Sequence, residues 1–188
     1  MKKFLLAPAL AALAIFVWGF IYWGLPHYLP YKSLGQVTDD SATALAIGKM
    51  FPASGAYLIP SPRLGEAKMG ELALRGPTVE VHISKEPIRS ADQARRMAFG
   101  FVHLFVICLL LTFILSKFEK AFETWMCRVM FCVTLGVLAG IYEFSQVIWW
   151  HHSLGWTLIH AVYVFTEYVI AGLVLAKFFT PKDAAPAA

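Results

Sequence analysis

Four apolar runs, each about twenty residues or longer, alternate with polar segments of very unequal length. At ~1.5 Å per helical residue, each run is long enough to cross the ~30 Å hydrocarbon core of a bilayer. The pattern predicts a membrane all-α fold: a four-helix transmembrane bundle with helices at residues 1–25, 91–117, 122–150 and 154–179. The first run is longer than a secretory h-region and lacks a small-residue cleavage site after its aromatic end, so it is expected to stay attached as helix 1. Residues 180–188 read as a polar, disordered cytoplasmic tail.

Residues 26–90 are a different material, proline-rich and punctuated by turn signals. Asp39, Asp40 and Ser41 can cap a short helix over residues 42–51, stopped by Pro52. Residues 56–59, 72–74 and 78–84 read as strands. In the last, Val79, Val81 and Ile83 alternate with Thr78, Glu80, His82 and Ser84, which predicts one buried and one wet face. Together these make a small extracytoplasmic α+β module between helices 1 and 2. It is short for an independent core and is expected to rest on the bundle.

Composition agrees with the pattern, since 59% of the 188 residues are hydrophobic and only 15% charged. The net charge of +4 carries no nucleic-acid footprint, because the surplus cations flank the apolar runs: Lys2, Lys3, Arg95, Arg96, Lys117, Lys120, Arg128, Lys177 and Lys182. By the positive-inside rule, the chain is an integral plasma or inner-membrane protein with both termini cytoplasmic and residues 26–90 outside. Arg128 is expected to snorkel to lipid phosphate. Trp18, Tyr22, Trp23, Tyr28 and Tyr31 are expected to form an interfacial belt. The three cysteines, Cys108, Cys127 and Cys132, all lie inside apolar runs and read as packing residues.

The third run is the expected organiser of the bundle. Gly136 and Gly140 form a small-xxx-small helix-packing motif, and Glu143 follows on the same stripe. Counted from the outer ends at ~1.5 Å per residue, His103, Glu143 and His160 lie ~15, ~12 and ~10 Å deep on three different helices. Tyr163 and Glu167 continue the His160 face. Gly100, one turn from His103, is expected at a close helix approach. The result is a candidate inward-facing polar cluster of His103, Glu143, His160, Tyr163 and Glu167.

Such a cluster has three readings. It can lock helix register through hydrogen bonds worth about 0.6 kcal/mol per pair. It can hold a metal or haem through His103, Glu143 and His160, although no helix carries a paired ligand spacing. It can pass protons outward through Glu167, His160 and Glu143. At the outer interface, His27, Trp149, Trp150, His151 and His152 are candidate anchoring residues, with a surface metal site of the three histidines as the alternative.

The order of one helix, an outer module with strands and three closely joined helices resembles claudin-like tetraspan proteins in topology. Their outer cysteine pair has no counterpart here, and no family is identified from the sequence. The outer module has no nucleophile–base pattern, phosphate loop or cysteine cluster. The functional expectation is therefore a non-catalytic membrane protein that binds or organises a partner protein, a lipid or a larger complex at the outer leaflet. Its expected associates are the lipid bilayer and a membrane-protein partner or second copy, without nucleic acid. The alternatives are a metal- or haem-binding redox protein and a proton-coupled transport component.

Overall fold

The computed structural model describes residues 2–24 and 29–179. His27 and the tail at 180–188 lie outside the described residues, as does Tyr28. The chain is mostly helical, with one small sheet. Its elements are α1 (Lys2–Gly24), α2 (Leu29–Lys32), α3 (Asp40–Met50), β1 (Gly55–Ile59), a 3-10 turn (Pro62–Leu64), α4 (Glu66–Arg75), β2 (Val79–Ile83), α5 (Ser90–Lys117), α6 (Trp125–Glu143), α7 (Ser145–Trp150) and α8 (Leu154–Phe179). Four helical stretches are long and apolar enough to cross a membrane: Phe4–Gly24, Ser90–Lys117, Trp125–Trp150 and Leu154–Phe179. The chain divides into two compact units, Met1–Leu34 with Gln93–Ala188, and Gly35–Asp92.

In the smaller unit, the Asp39 carboxylate accepts from the Ala42 amide at 2.9 Å, which caps α3 as the sequence implies. Strands β1 and β2 pair antiparallel from Gly55↔Ile83 to Ile59↔Val79. Lys85 fastens this pair to the end of α3: its amide donates to Ser54 Oγ at 2.9 Å and its ammonium to the Phe51 carbonyl at 2.7 Å. The strand expected at 72–74 is instead the last part of helix α4. Its residues, Glu-Ala-Lys-Met-Gly-Glu-Leu-Ala-Leu-Arg, are mostly strong helix formers. Glu71 also bridges Lys68 at 2.9 Å and Arg75 at 2.8 Å, the two spacings that a helix brings together. The two-faced strand at 78–84 is only partly realised. Val81 and Ile83 are half-buried and His82 is exposed, but Val79 is exposed too and Glu80 is half-buried, because two strands without a covering layer have little to bury.

In the larger unit the organiser is the fourth apolar helix, α8, rather than the third. One face of α8 meets α6 across three glycines. A Cβ added at Gly172 would lie 2.7 Å from Cys132 Cβ; at Gly136, 2.9 Å from Tyr168 Cβ; and at Gly140, 3.2 Å from the Ala161 carbonyl oxygen. Another face meets α1, where Trp18 Nε1 donates to Thr166 Oγ1 and the Tyr22 hydroxyl to the Ile159 carbonyl, both at 2.9 Å. Trp18 and Tyr22 thus hold two helices together. Helix α5 joins the core through Cys108, Leu111 and Leu115, which pack with Ala11, Cys132 and Leu175.

The third apolar run is a broken helix. At Phe144 (φ −66°, ψ −12°) the amide bonds three residues back, to Ile141 at 3.1 Å, and the regular helix resumes as α7 from Ser145. No proline or glycine marks the break. His151 closes α7 in the left-handed conformation (φ 58°), with the His152 amide donating to the Gln146 carbonyl at 3.2 Å. Arg128 does not reach outward to phosphate. It is fully buried, with Nε donating to the Phe122 carbonyl at 2.8 Å and Nη2 to the Glu119 carbonyl at 3.4 Å. The turn between α5 and α6 leaves these carbonyls without helical partners, and a planar guanidinium fork suits two of them at once.

Overpacking the glycine seam should be destabilising by about 1–3 kcal/mol per added methyl. Gly172→Ala is therefore expected to lower the thermal unfolding midpoint of the detergent-solubilised protein. Gly70→Ala in α4, where an added Cβ meets nothing within 4 Å, is expected to leave that midpoint unchanged or raise it.

Candidate functional site

The five residues expected to form one inward cluster are divided between two cavities. The first is a cleft of about 650 Å³ between α1, α5 and α8. Its walls are mostly apolar, formed by Phe16, Phe20, Leu104 and Ile107, and its polar groups are His103, Tyr163 and Glu167. The second is a pocket of about 250 Å³ formed by α6, α7, α8 and the residues joining α7 to α8; it is lined by Glu143, Gln146, His152, Trp156, Thr157 and His160.

The cleft exists because α5 closes on the bundle along only part of its length. From Cys108 onward one face of α5, with Cys108, Leu111, Thr112 and Leu115, is buried in the core. Nearer its start, Gly100 faces open space, since an added Cβ there meets nothing within 4 Å. The expectation that Gly100 marks a close helix approach is therefore corrected: it widens the cleft instead. His103, one turn on, is exposed along the same wall. Across from it, Tyr163 is within hydrogen-bonding reach of the Glu167 carboxylate, one turn further along α8. Gly19 on α1 makes room for that tyrosine, because a Cβ at Gly19 would stand 2.9 Å from the Tyr163 hydroxyl. Behind Glu167 the cleft narrows to a crevice of about 20 Å³ walled by Ile15, Leu104, Ile107, Leu111, Tyr168 and Ala171.

Trp23 forms part of the partition between the two cavities. It lines the cleft, packs on Tyr163 at 5.3 Å between ring centroids, and packs on His160 at 4.9 Å. The other neighbour of His160 is Trp156, edge-on at 4.5 Å. The imidazole is therefore held between two indoles, and its Nε2 has no hydrogen-bond partner. Thr157 Oγ1 is likewise buried and without a partner.

The division separates the residues of the expected metal set. His103 opens on one cavity while Glu143 and His160 line the other, and among the described residues no three His, Cys, Asp or Glu side chains converge closely enough to hold a metal ion. The physical reason is the loose start of α5, which keeps His103 on the far wall of the cleft. A surface set of His27, His151 and His152 is not formed from the described residues, since His27 lies outside them. His152 is half-buried and belongs to the second pocket, whereas Trp149, Trp150 and His151 are exposed.

Sequence reasoning missed Gly19, Gly172, Gln146 and Thr157. The two glycines carried a usable signal, being small residues in the middle of apolar runs, where close helix approach is their commonest use. Gln146 and Thr157 carried none, because their roles depend on the break at Phe144 and on the rotation of α8.

Among the described residues, four helical stretches are long and apolar enough to cross a membrane, which fits the multi-pass helical membrane class. No family model, curated protein or solved structure matches it.

The seat of Tyr163 on α1 gives a double-mutant test. Gly19→Ala alone is expected to destabilise the protein through the 2.9 Å clash with the hydroxyl. Combined with Tyr163→Phe, which removes that oxygen, it is expected to cost less than the sum of the two single changes. Thermal unfolding of the four proteins measures the coupling; strict additivity would mean that Tyr163 does not rest on Gly19.

Proposed function

We propose that this chain is a non-catalytic integral membrane protein of the plasma or inner membrane that binds a neutral, single-headed lipid in the cleft between α1, α5 and α8. Both termini are cytoplasmic and the module at residues 26–90 is extracytoplasmic, in keeping with the lysines and arginines flanking the spans. On that orientation the cleft lies in the outer half of the bilayer, because Trp23 and Met97 are near the outer ends of α1 and α5.

The observation that carries the reading is the lining of the cleft. Aromatic and aliphatic walls suit an acyl or isoprenoid chain, and three polar groups, His103, Tyr163 and Glu167, stand among them. None of the lining residues is Lys or Arg, so a phosphate head would enter uncompensated. A prenyl or fatty alcohol, a quinone or a protonated fatty acid brings one hydrogen-bonding head without that penalty. Hydroxyl, imidazole and carboxyl groups can both donate to and accept from such a head.

The metal or haem reading loses support from the separation of His103 from Glu143 and His160. The proton-path reading loses support inward of Glu167, where the core is closed by Cys108, Leu111, Cys132, Ala171 and Leu175.

Gly100→Phe fills the cleft from a position where an added side chain starts in open space. Native mass spectrometry of protein purified in mild detergent is expected to show about one neutral lipid retained per wild-type chain, and a several-fold loss of it in Gly100→Phe at an unchanged melting temperature. Equal retention by both proteins, or no neutral lipid on the wild type, would refute the assignment.

A further inference from the structure

The second pocket, lined by α6, α7 and α8, plays no part in the lipid reading and has a chemistry of its own. At about 250 Å³ it is smaller than the ~300–1,000 Å³ typical of drug-sized ligands, and is the size of a head group. Its polar lining is rich in groups that can accept hydrogen bonds: the Glu143 carboxylate, the Gln146 amide oxygen, the Thr157 hydroxyl and the His160 imidazole. Glu143 is the acidic residue of the lining, and no Lys or Arg lines the pocket beside it.

Two further observations point to a missing partner. Thr157 is 2% exposed and its Oγ1 makes no hydrogen bond, and His160 Nε2 is equally buried and unpaired. Buried polar atoms are normally satisfied, so a pocket bordered by two orphans calls for a polar guest, and the Glu143 carboxylate beside them favours one that brings hydrogen-bond donors. A bare metal ion fits poorly, because it needs a close shell of converging ligands, and no three such side chains converge among the described residues. A group with several N–H donors and one positive charge fits well. It meets Glu143 as an ion pair, uses Gln146 and Thr157 as acceptors, and faces the Trp156 indole, whose ring attracts cations.

We infer that the pocket formed by Glu143, Gln146, His152, Trp156, Thr157 and His160 binds a primary ammonium group. Two sources present that chemistry, a free amine in solution and the ethanolamine head group of a phospholipid. The inference goes beyond the lipid cleft and does not depend on it, since the cleft is lined by other residues apart from α8 neighbours one turn away.

The test uses the full chain in phosphatidylcholine nanodiscs, with the thermal midpoint and tryptophan emission as readouts. Ethanolamine is titrated in solution, choline serves as the matched cation without N–H donors, and a parallel series replaces part of the lipid with phosphatidylethanolamine. A saturable rise in midpoint with ethanolamine but not choline assigns a free amine. A rise only on adding phosphatidylethanolamine assigns the head group. In either case Glu143→Gln should weaken the response at least ten-fold. Thr157→Val, nearly isosteric, serves as a second variant should Glu143→Gln fail to fold, and should weaken it several-fold. The inference is overturned if neither ethanolamine source shifts the midpoint, if choline acts equally, or if the folded variant responds as the wild type does.

Discussion

The close approach of α6 and α8 is the constraint on which the larger unit depends. Lipid tails are as apolar as leucine, so a helix pair in a bilayer gains little from burying apolar side chains and must gain from contact itself. Gly136, Gly140 and Gly172 provide that contact, by letting the Tyr168 side chain, the Ala161 backbone and the Cys132 side chain sit where a methyl group would otherwise stand. Once α8 is fixed on α6, the rotation of α8 is fixed as well. Thr166 and the Ile159 carbonyl then meet Trp18 and Tyr22 of α1, while His160 and Tyr163 are brought against Trp23.

Helix α5 is the exception, and the exception makes the cleft. It carries no glycine seam; its hold is the cluster of Cys108, Leu111 and Leu115, together with an edge contact between Phe101 and Phe16 at 5.7 Å. At Gly100 and His103 it borders the cleft it shares with α1 and α8, while Phe101 between them touches Phe16 of α1. The same looseness separates His103 from Glu143 and His160. The same packing difference leaves a mostly apolar cavity whose polar lining is His103, Tyr163 and Glu167. The break at Phe144 has a parallel effect on the other side of α8, where α7 carries Gln146 to the wall of a second, polar pocket.

Much of the fold was legible in the sequence, because long apolar runs and helix caps are strong local signals. The four long helices, the Asp39 cap and the strand at Val79–Ile83 follow from periodicity and end residues. The misreadings come from reading a segment apart from its neighbours in the chain or in space. The stretch at 72–74 reads as extended until it is joined to Glu66–Glu71 and the salt bridges of a continuous helix. Arg128 resembles a surface cation, yet the free carbonyls of Glu119 and Phe122 draw it inward. For the site, the residue types were legible and their partition was not. Which of five polar side chains share a cavity is set by helix rotation and by one loosely held helix, neither of which leaves a mark in a single sequence.

The central claim is that α5 stands off α1 and α8 so that a neutral lipid occupies the space between them. Cryo-electron microscopy of the wild-type protein in lipid nanodiscs, with a rigid fiducial to give it mass, tests this most directly. The account predicts elongated non-protein density between Phe16, Phe20, Gly100 and Leu104, with a head group within hydrogen-bonding distance of His103, Tyr163 or Glu167. A map in which Gly100 and His103 pack directly on α1 or α8, leaving no space between the helices, would contradict it.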